Sequence, residues 1–212
     1  LSHALRLEDL LRDLLDLSRL ESPDVEPVIG EVDLGAMSVG FEQQFADLIA
    51  SRQLRLEFDF DEDLLGLRTD ANMLGLILRN FIENACKFAG EGTTIRINGA
   101  MIEEEITGAS PGPRTSRGVA RFEVIDKGMG IPLAHQERVF ERFYQVDSAR
   151  SGPTARRGTG LGLAIVKHAA RALEGRVGLD STWGEGTTAW AEIPVEFDAP
   201  GTNAGGGETG AT

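Results

Sequence analysis

The sequence has one cysteine among its 212 residues and no apolar run of the roughly 18 or more residues that would suggest a membrane span. The lone Cys86 excludes an intrachain disulfide and a cysteine metal cluster, and it favours a reducing compartment. The first residues also lack the basic stem, apolar stretch and small-residue cleavage site of a secretory leader. We therefore expect a cytoplasmic chain that makes no membrane contact of its own.

Basic residues are also scarce, with 21 Lys and Arg against 34 Asp and Glu and a formal net charge of −13. Such a balance repels a phosphate backbone, so we predict no nucleic-acid partner. The length suits one main domain with appendages. The chain opens at Leu1, inside a helical pattern and without Met, and we expect it to be a piece of a longer protein.

A leucine seam runs through residues 1–22, where His3 and four leucines recur at steps of four and three: Leu7, Leu10, Leu14 and Leu17. A helix with this face needs a partner helix to cover it. Ser22 and Pro23 mark its end, and we place a domain boundary near Pro23. The predicted domains are the helix at 1–22, a main domain at 23–196 and a disordered tail at 197–212.

The main domain shows alternating helix and strand patterns. Asp33 and Asp70 are predicted to cap two of its helices. Helices are predicted at about 33–52, 71–87 and 161–173, and strands at 54–60, 93–101, 120–126, 176–181 and 187–194. The segment 103–118 is predicted to be a mobile hairpin loop, because it is charged and then rich in Gly, Pro and Ser. This order favours an α/β fold with a mixed sheet and helices on one face.

Three polar residues share one helix face in the segment RNFIENACKF at 79–88. Asn80 and Asn84 are four residues apart, and Lys87 extends the same edge. A carboxamide oxygen is a hard ligand for Mg²⁺, and an ammonium group can bind phosphate oxygens. By itself the segment fits equally well a helix that ends in solvated polar residues, and that alternative would be preferred without further motifs.

The segment DKGMGI at 126–131 places a carboxylate beside two glycines at the end of a strand. Asp126 could accept the amino hydrogens of an adenine, while Gly128 and Gly130 would let the backbone approach a flat ligand. An ordinary β-turn is the alternative.

Two further glycine-rich segments follow. GTGLGLAIVKHAA at 158–170 leads into a helix, and backbone N–H groups at such a start form an anion site. It has neither the P-loop pattern nor the preceding strand of a dinucleotide fingerprint, since 148–157 reads as a polar, mobile loop. GEGTTAWAEIPV at 184–195 turns into a strand, and an ordinary hairpin is its alternative.

In this order the four segments resemble the N, G1, G2 and G3 boxes of the histidine kinase ATPase domain. VFERFYQVD at 139–147 resembles the F box, and DLLDLSRLES at 13–22 is similar to the end of the second dimerisation helix, especially in PhoR-like kinases. The resemblance covers essentially residues 5–195. It implies the two-layer α/β sandwich of Bergerat-type ATPases, with ATP and Mg²⁺ as cofactors.

The resemblance also implies an activity and partners. The family transfers the ATP γ-phosphate to a histidine, which we expect to lie outside this chain, and then to an aspartate on a response regulator receiver domain. The full-length protein would be a homodimer through its dimerisation helices. The resemblance also allows it to be a membrane-anchored sensor. His3 is interpreted as a seam residue, with a phosphoacceptor role as the second reading.

The family's site residues map onto this chain by motif. Asn84 would coordinate Mg²⁺, with Asn80 and Lys87 completing the catalytic set near the phosphates. The implied cofactor-binding residues are Asn84, Lys87, Phe88, Asp126, Gly128, Gly130, Tyr144, Gly158, Thr159, Gly160, Leu161, Gly162 and Thr187. Gln145 stands where the F box often has an arginine, so charge neutralisation by the lid would fall to one of four arginines: Arg142, Arg150, Arg156 or Arg157.

Two other functional classes remain open. One is a non-catalytic, nucleotide-binding scaffold, which the presence of Asn84, Lys87 and Asp126 disfavours. The other is a serine kinase of the anti-sigma type, which the leucine seam disfavours because that class needs no dimerisation hairpin.

Overall fold

A computed structural model describes residues 2–22, 24–102, 116–146 and 158–197 of the chain. It gives six α-helices, one 3₁₀ helix (Glu62–Leu64) and seven strands in these ranges. The helices are α1 (Ser2–Leu20), α2 (Leu34–Gln44), α3 (Ala46–Arg52), α4 (Ala71–Phe88), α5 (Leu133–Gln136) and α6 (Gly162–Ala172). The strands are β1 (Gly30–Glu31), β2 (Arg55–Phe60), β3 (Leu67–Thr69), β4 (Thr94–Ile102), β5 (Ser116–Asp126), β6 (Arg176–Thr182) and β7 (Gly186–Phe197). Of the predicted loop at 103–118 and tail at 197–212, residues 116–118 and Phe197 lie in strands instead, because β5 and β7 pair along their full length. The rest of these two segments and the predicted loop at 148–157 lie outside the described residues.

The strands form one mixed sheet in the order β1-β3-β7-β5-β4-β2, with β6 also paired to β7. The β2 and β4 strands run parallel, whereas the other neighbouring pairs are antiparallel. This arrangement confirms the predicted mixed sheet. The long β5–β7 pair runs through its centre, and its register places Asp126 opposite Thr187 at one end.

One face of the sheet is covered by α4 and α6, which confirms the predicted two-layer fold. Alternate residues of β5 and β7 point into this core, including Phe122 and Ile193, and both are fully buried. The apolar face of α4 packs against them through Ile77, Leu78, Phe81 and Ile82. The shared core fixes where the two ends of α4 lie relative to the sheet.

The predicted helix at 33–52 is two helices, because the chain bends at Phe45. The backbone there has φ −99° and ψ 6°, and the Phe45 side chain is buried in the core. Placing this ring inside the core stabilises the bend at the cost of a continuous helix. The strands β1 and β3 were not predicted, since two or three residues show too little alternation to be detected.

The α1 helix packs against the main domain through its C-terminal half. Leu17 is buried with Leu161 and Ile165 of the α6 region. Leu7 of the seam and the flanking Leu11 and Leu15, which widen the apolar face, remain more than half exposed, at 57%, 52% and 59%. The seam is therefore covered in part, and its predicted partner helix stays a prediction. Within the described ranges, no helix combines the length and apolarity needed to cross a bilayer.

Both ends of α4 are held by buried charged side chains. Asp70 accepts hydrogen bonds from the backbone N–H groups of Asn72 and Met73 at the helix start, and from Val28 N at 2.8 Å. At the other end, Arg52 donates to the carbonyl oxygens of Cys86 and Ala89 at 2.5 and 2.7 Å. An anion at the N-terminus and a cation at the C-terminus also complement the helix dipole.

We predict that Asp70→Ala lowers the free energy of unfolding by about 2–3 kcal/mol, since three backbone donors lose a charged acceptor. Asp33→Ala is the control, because Asp33 is exposed and accepts one such bond, from Ala36 N at 2.8 Å. It should cost about 0.5–1 kcal/mol. Urea unfolding of the two variants measures both values. Equal losses would show that Asp70 does no more than an ordinary helix cap.

Candidate functional site

A cavity of about 380 Å³ opens between α4, the ends of β5 and β7, the start of α6 and α1. This volume lies within the range of small-molecule sites. Twelve of the residues predicted for the site line it: Asn80, Asn84, Lys87, Phe88, Asp126, Gly130, Tyr144, Gly158, Thr159, Gly160, Gly162 and Thr187. The structure thus brings together segments that are far apart in the sequence.

Asn80 lies at the contact between α4 and α6. Its side chain is buried, and its amide nitrogen donates to the Leu76 carbonyl at 2.7 Å. A Cβ on Gly162 would lie 2.8 Å from the Asn80 amide oxygen, which is closer than side chains tolerate. Gly162 therefore lets the start of α6 approach α4, and Asn80 positions this contact as well as lining the cavity.

Asn84 and Lys87 follow on the same helix face, nearer to the glycine-rich turn. The Lys87 ammonium is 2.6 Å from a Glu83 carboxylate oxygen and 3.6 Å from the place that a Cβ on Gly158 would take. Asn84 is half-buried and lines the cavity beside it. The α4 helix thus contributes an amide and a cation to this end of the cavity.

The Asp126 carboxylate lies at the opposite end, where β5 stops. It accepts hydrogen bonds from the backbone N–H groups of Gly128 and Thr187. Burial raises the pKa of Asp126 to about 6, against the lowering effect of these two hydrogen bonds. Thr187 also exchanges a hydrogen bond with the Ser181 hydroxyl at 2.9 Å. The carboxylate is consequently an acceptor in a partly dry environment.

Glycines are required around this carboxylate because the chain packs closely. A Cβ on Gly128 would lie 2.3 Å from the Phe88 carbonyl oxygen. Gly130 has a φ of +68°, and a Cβ there would lie 2.1 Å from the Thr182 carbonyl oxygen. Apolar side chains complete this end of the cavity: Val124, Met129, Ile131, Leu179 and Ala189. The result is a slot that suits a flat, largely apolar ring with a polar group facing Asp126.

The glycine-rich turn is held by residues of the F-box-like segment. Gln145 donates to the Gly158 carbonyl at 2.7 Å, and the Phe143 N–H donates to the Gly160 carbonyl at 2.8 Å. Gly160 has a φ of +74°, and a Cβ on it would lie 2.9 Å from Phe143 Cα. Gln145, which replaces the arginine expected from the resemblance, is thus engaged in shaping the turn.

Two predicted site residues do not contribute to the lining. Gly128 lies directly behind Asp126, whose carboxylate it helps to hold. Leu161 is fully buried against Leu17 and Ile165, so its side chain joins α1 to α6. Its backbone N–H donates to the Thr159 hydroxyl at 3.1 Å.

The α1 helix forms a wall of the cavity through Asp9, Arg12 and Asp13, which was not predicted from the sequence. The Thr159 hydroxyl donates to an Asp13 carboxylate oxygen at 2.6 Å. Burial raises the pKa of Asp13, and the Thr159 hydrogen bond opposes this effect. The spacing of Asp9 and Asp13 places them on one helix face, but the prediction for this helix rested on its leucine seam.

Further ion pairs tie α1 to the domain. Arg79 of α4 is 3.2 Å from Asp16, and Arg142 pairs with Glu21, which also lies 3.4 Å from the His168 ring. Arg142 is therefore engaged with the residue that follows α1. The other three arginines considered for the phosphates, Arg150, Arg156 and Arg157, lie outside the described residues.

A divalent cation at this site would need oxygen atoms from a bound nucleotide or from water in addition to those of the protein. Across the described residues, no group of three or more His, Cys, Asp or Glu side chains is arranged to hold a metal. Asn84 offers one amide oxygen to the cavity. Such a donor fits Mg²⁺, which commonly takes one or two protein oxygens together with phosphate oxygens and water.

Comparisons with known proteins agree with this geometry. Residues 69–197 match the family model described as histidine kinase-, DNA gyrase B- and HSP90-like ATPase. The chain is 34% identical over 197 residues to the sensor-like histidine kinase SenX3 of Mycolicibacterium smegmatis. This match covers 92% of the chain and 46% of that relative. It is 33% identical over 190 residues to drug sensory protein A of Synechocystis, covering 90% of the chain and 28% of that protein.

Among solved structures, full-length ShkA in complex with AMPPNP superposes with a TM-score of 0.72 and 27% identity, over 92% of this chain and 37% of that one. The chain therefore spans less than half the length of each of these three proteins.

The raised pKa of Asp126 predicts a pH dependence of stability. The unfolded carboxyl titrates near pH 4, whereas the folded one titrates near 6. Between these values the unfolded state loses its proton first, so the Asp126 contribution to stability falls as pH rises. Relative to the wild type, Asp126→Asn should gain on the order of 1 kcal/mol of unfolding free energy from pH 4 to pH 7.

Urea unfolding of both proteins across this pH range measures the difference. A difference that stays constant with pH would show that Asp126 has an ordinary pKa.

Proposed function

Because the chain belongs to the family of histidine kinase-, DNA gyrase B- and HSP90-like ATPases, we propose that it is the ATP-binding catalytic domain of a sensor histidine kinase. The domain would transfer the ATP γ-phosphate to a histidine on a dimerisation helix, for relay to a response regulator aspartate. One observation carries the proposal: a single cavity has the half-buried Asp126 carboxylate at one end and Asn84 and Lys87 at the other.

At the first end, Asp126 would accept the amino group of adenine. The apolar slot beside it, with Met129 and Leu179 in its walls, would cover the faces of the ring. Thr187 lies opposite Asp126 in the sheet and would contact the ring edge. A guanine has a carbonyl oxygen in place of that amino group, so the carboxylate would repel it. Asp126 would therefore select ATP over GTP.

At the second end, the phosphates would lie between α4 and the start of α6. Lys87 would bind phosphate oxygens, and the backbone N–H groups of the turn at 158–162 would form the anion site. Asn84 would hold Mg²⁺, which neutralises charge on the phosphates when bound. Asn80 would keep α6 in place against α4. Catalysis would then rest on positioning and charge neutralisation.

The proposed partners follow from the rest of the molecule. The exposed leucines of α1 would pack against other helices in a homodimer, and the response regulator receiver domain would take the phosphate from the acceptor histidine. We propose a cytoplasmic position for this domain, whether or not a longer parent protein is anchored in a membrane.

Phosphoryl transfer tests the proposal. The wild-type chain, Mg·ATP and a separately expressed helical hairpin with an acceptor histidine should yield acid-labile phosphate on the hairpin. Asn84→Ala should lower the initial rate more than tenfold, because the metal loses its protein ligand. Asn72→Ala is the matched control, since Asn72 is exposed at the start of the same helix.

Other outcomes identify the alternatives. Acid-stable phosphate on a protein substrate would indicate a serine kinase. Binding of ATP without transfer to any hairpin would indicate a nucleotide-binding scaffold.

The carboxylates of α1 should oppose the triphosphate. Asp13 faces the cavity and binds Thr159 in the turn that would hold the phosphates. Replacing it with Asn removes one negative charge from this wall, so Mg·ATP affinity in Asp13→Asn should rise about threefold to tenfold. Asp24→Asn makes the same charge change at an exposed position outside the cavity lining and should have little effect. Weaker binding by Asp13→Asn would mean that Asp13 assists the nucleotide.

A further inference from the structure

Tyr144 is contacted from outside the cavity by two residues of the segment 133–138, which comprises α5 and the two residues after it and is called the α5 segment below. The His135 Nδ1 atom is 2.5 Å from the Tyr144 hydroxyl oxygen, and the two ring centroids are 6.0 Å apart. The Arg138 guanidinium carbon lies 4.4 Å from the centre of the Tyr144 ring. One residue thus holds the hydroxyl group and the other covers a face of the ring. Neither His135 nor Arg138 is among the described residues that line the cavity.

The α5 segment is itself anchored to the end of the cavity that holds Asp126. The Gln136 amide donates to the carbonyl oxygens of Ile131 and Ser181, both at 2.8 Å. The Ile131 N–H donates to the Ser181 hydroxyl at 2.8 Å. The segment is therefore fixed to β6 and to the glycine turn after Asp126.

Tyr144 in turn reaches the glycine-rich turn at the other end. It lines the cavity, and its carbonyl oxygen would lie 3.1 Å from a Cβ on Gly160. The preceding Phe143 has a φ of +60° and donates its N–H to the Gly160 carbonyl. A displacement of Tyr144 would consequently be passed to the turn through direct contacts.

We propose that His135 is a positioning residue for the nucleotide site, with Arg138 in support. By fixing the Tyr144 hydroxyl and ring, it sets the distance between the Asp126 end and the glycine-rich turn without touching the ligand. The effect on nucleotide binding rests on the proposed function, whereas the effect on Tyr144 does not.

The first test needs no nucleotide, because Tyr144 is the only tyrosine in the sequence. A chain with ¹³C at the phenolic carbon of tyrosine gives one resonance, whose shift reports the hydrogen bond. His135→Leu removes the partner and should move this resonance. His135→Asn places an amide group near the former Nδ1 position and should leave it closer to the wild type.

Leu133→Ala is the control on the same short helix, because Leu133 is 82% exposed. It should leave the resonance in place. A resonance that does not move in His135→Leu would overturn the proposal.

The second test measures Mg·ATP affinity in His135→Leu, Tyr144→Phe and the double variant. Each single change removes the same hydrogen bond and should weaken affinity about threefold to tenfold. The double variant should bind Mg·ATP no more weakly than the single variant with the lower affinity, because each single change already removes the interaction. Additive losses, or a wild-type affinity in His135→Leu, would overturn the positioning role.

If the wild-type chain itself failed to bind Mg·ATP, the proposed function would be wrong, and the positioning role would fall with it. The tyrosine resonance would still decide whether His135 holds Tyr144.

Discussion

The half-buried Asp126 carboxylate is the constraint on which the site depends. It lies where β5 ends, opposite Thr187 of β7, and backbone N–H groups of Gly128 and Thr187 hold it. Removing a carboxylate from water costs free energy unless its oxygen atoms accept hydrogen bonds. Here this cost raises the pKa of Asp126 to about 6. Glycine at 128 and at 130 is required for the chain to fold around the carboxylate. A ligand that offers further hydrogen-bond donors would stabilise its charged form.

The second end of the cavity depends on α4, because this helix carries both the amide and the ammonium of the site. Asp70 and Arg52 hold its two ends, and its apolar face packs on the sheet that also carries Asp126. The distance between the two ends of the cavity is therefore set by the hydrophobic core. The α5 segment and Tyr144 form another connection between these ends.

Local patterns in the sequence predicted the helix that carries Asn80, Asn84 and Lys87, since helical spacing places them on one face. They also predicted the main strands and the glycine turns. In the turns, neighbouring backbone lies so close that only glycine fits, and the glycines themselves are visible in the sequence. The contact of Asp13 with Thr159 joins residues 146 positions apart, and no local pattern contains it. Similarly, the helix bends at Phe45 because the Phe45 side chain packs into the core. The contact of His135 with the Tyr144 hydroxyl also depends on tertiary packing. Local patterns thus predicted features with a local cause, whereas the meeting of the distant site segments in one cavity was expected only from the family resemblance.

The most direct measurement is a calorimetric titration of Mg·ATP and Mg·GTP into the wild type and into Asp126→Asn. A hydrogen bond to a charged group contributes about 1.5–3 kcal/mol, so the account predicts one-site binding of ATP that the substitution weakens roughly tenfold to a hundredfold. It also predicts that the wild type prefers ATP to GTP. Unchanged ATP affinity in Asp126→Asn would contradict the assignment of this carboxylate to adenine, and with it the central claim about the site.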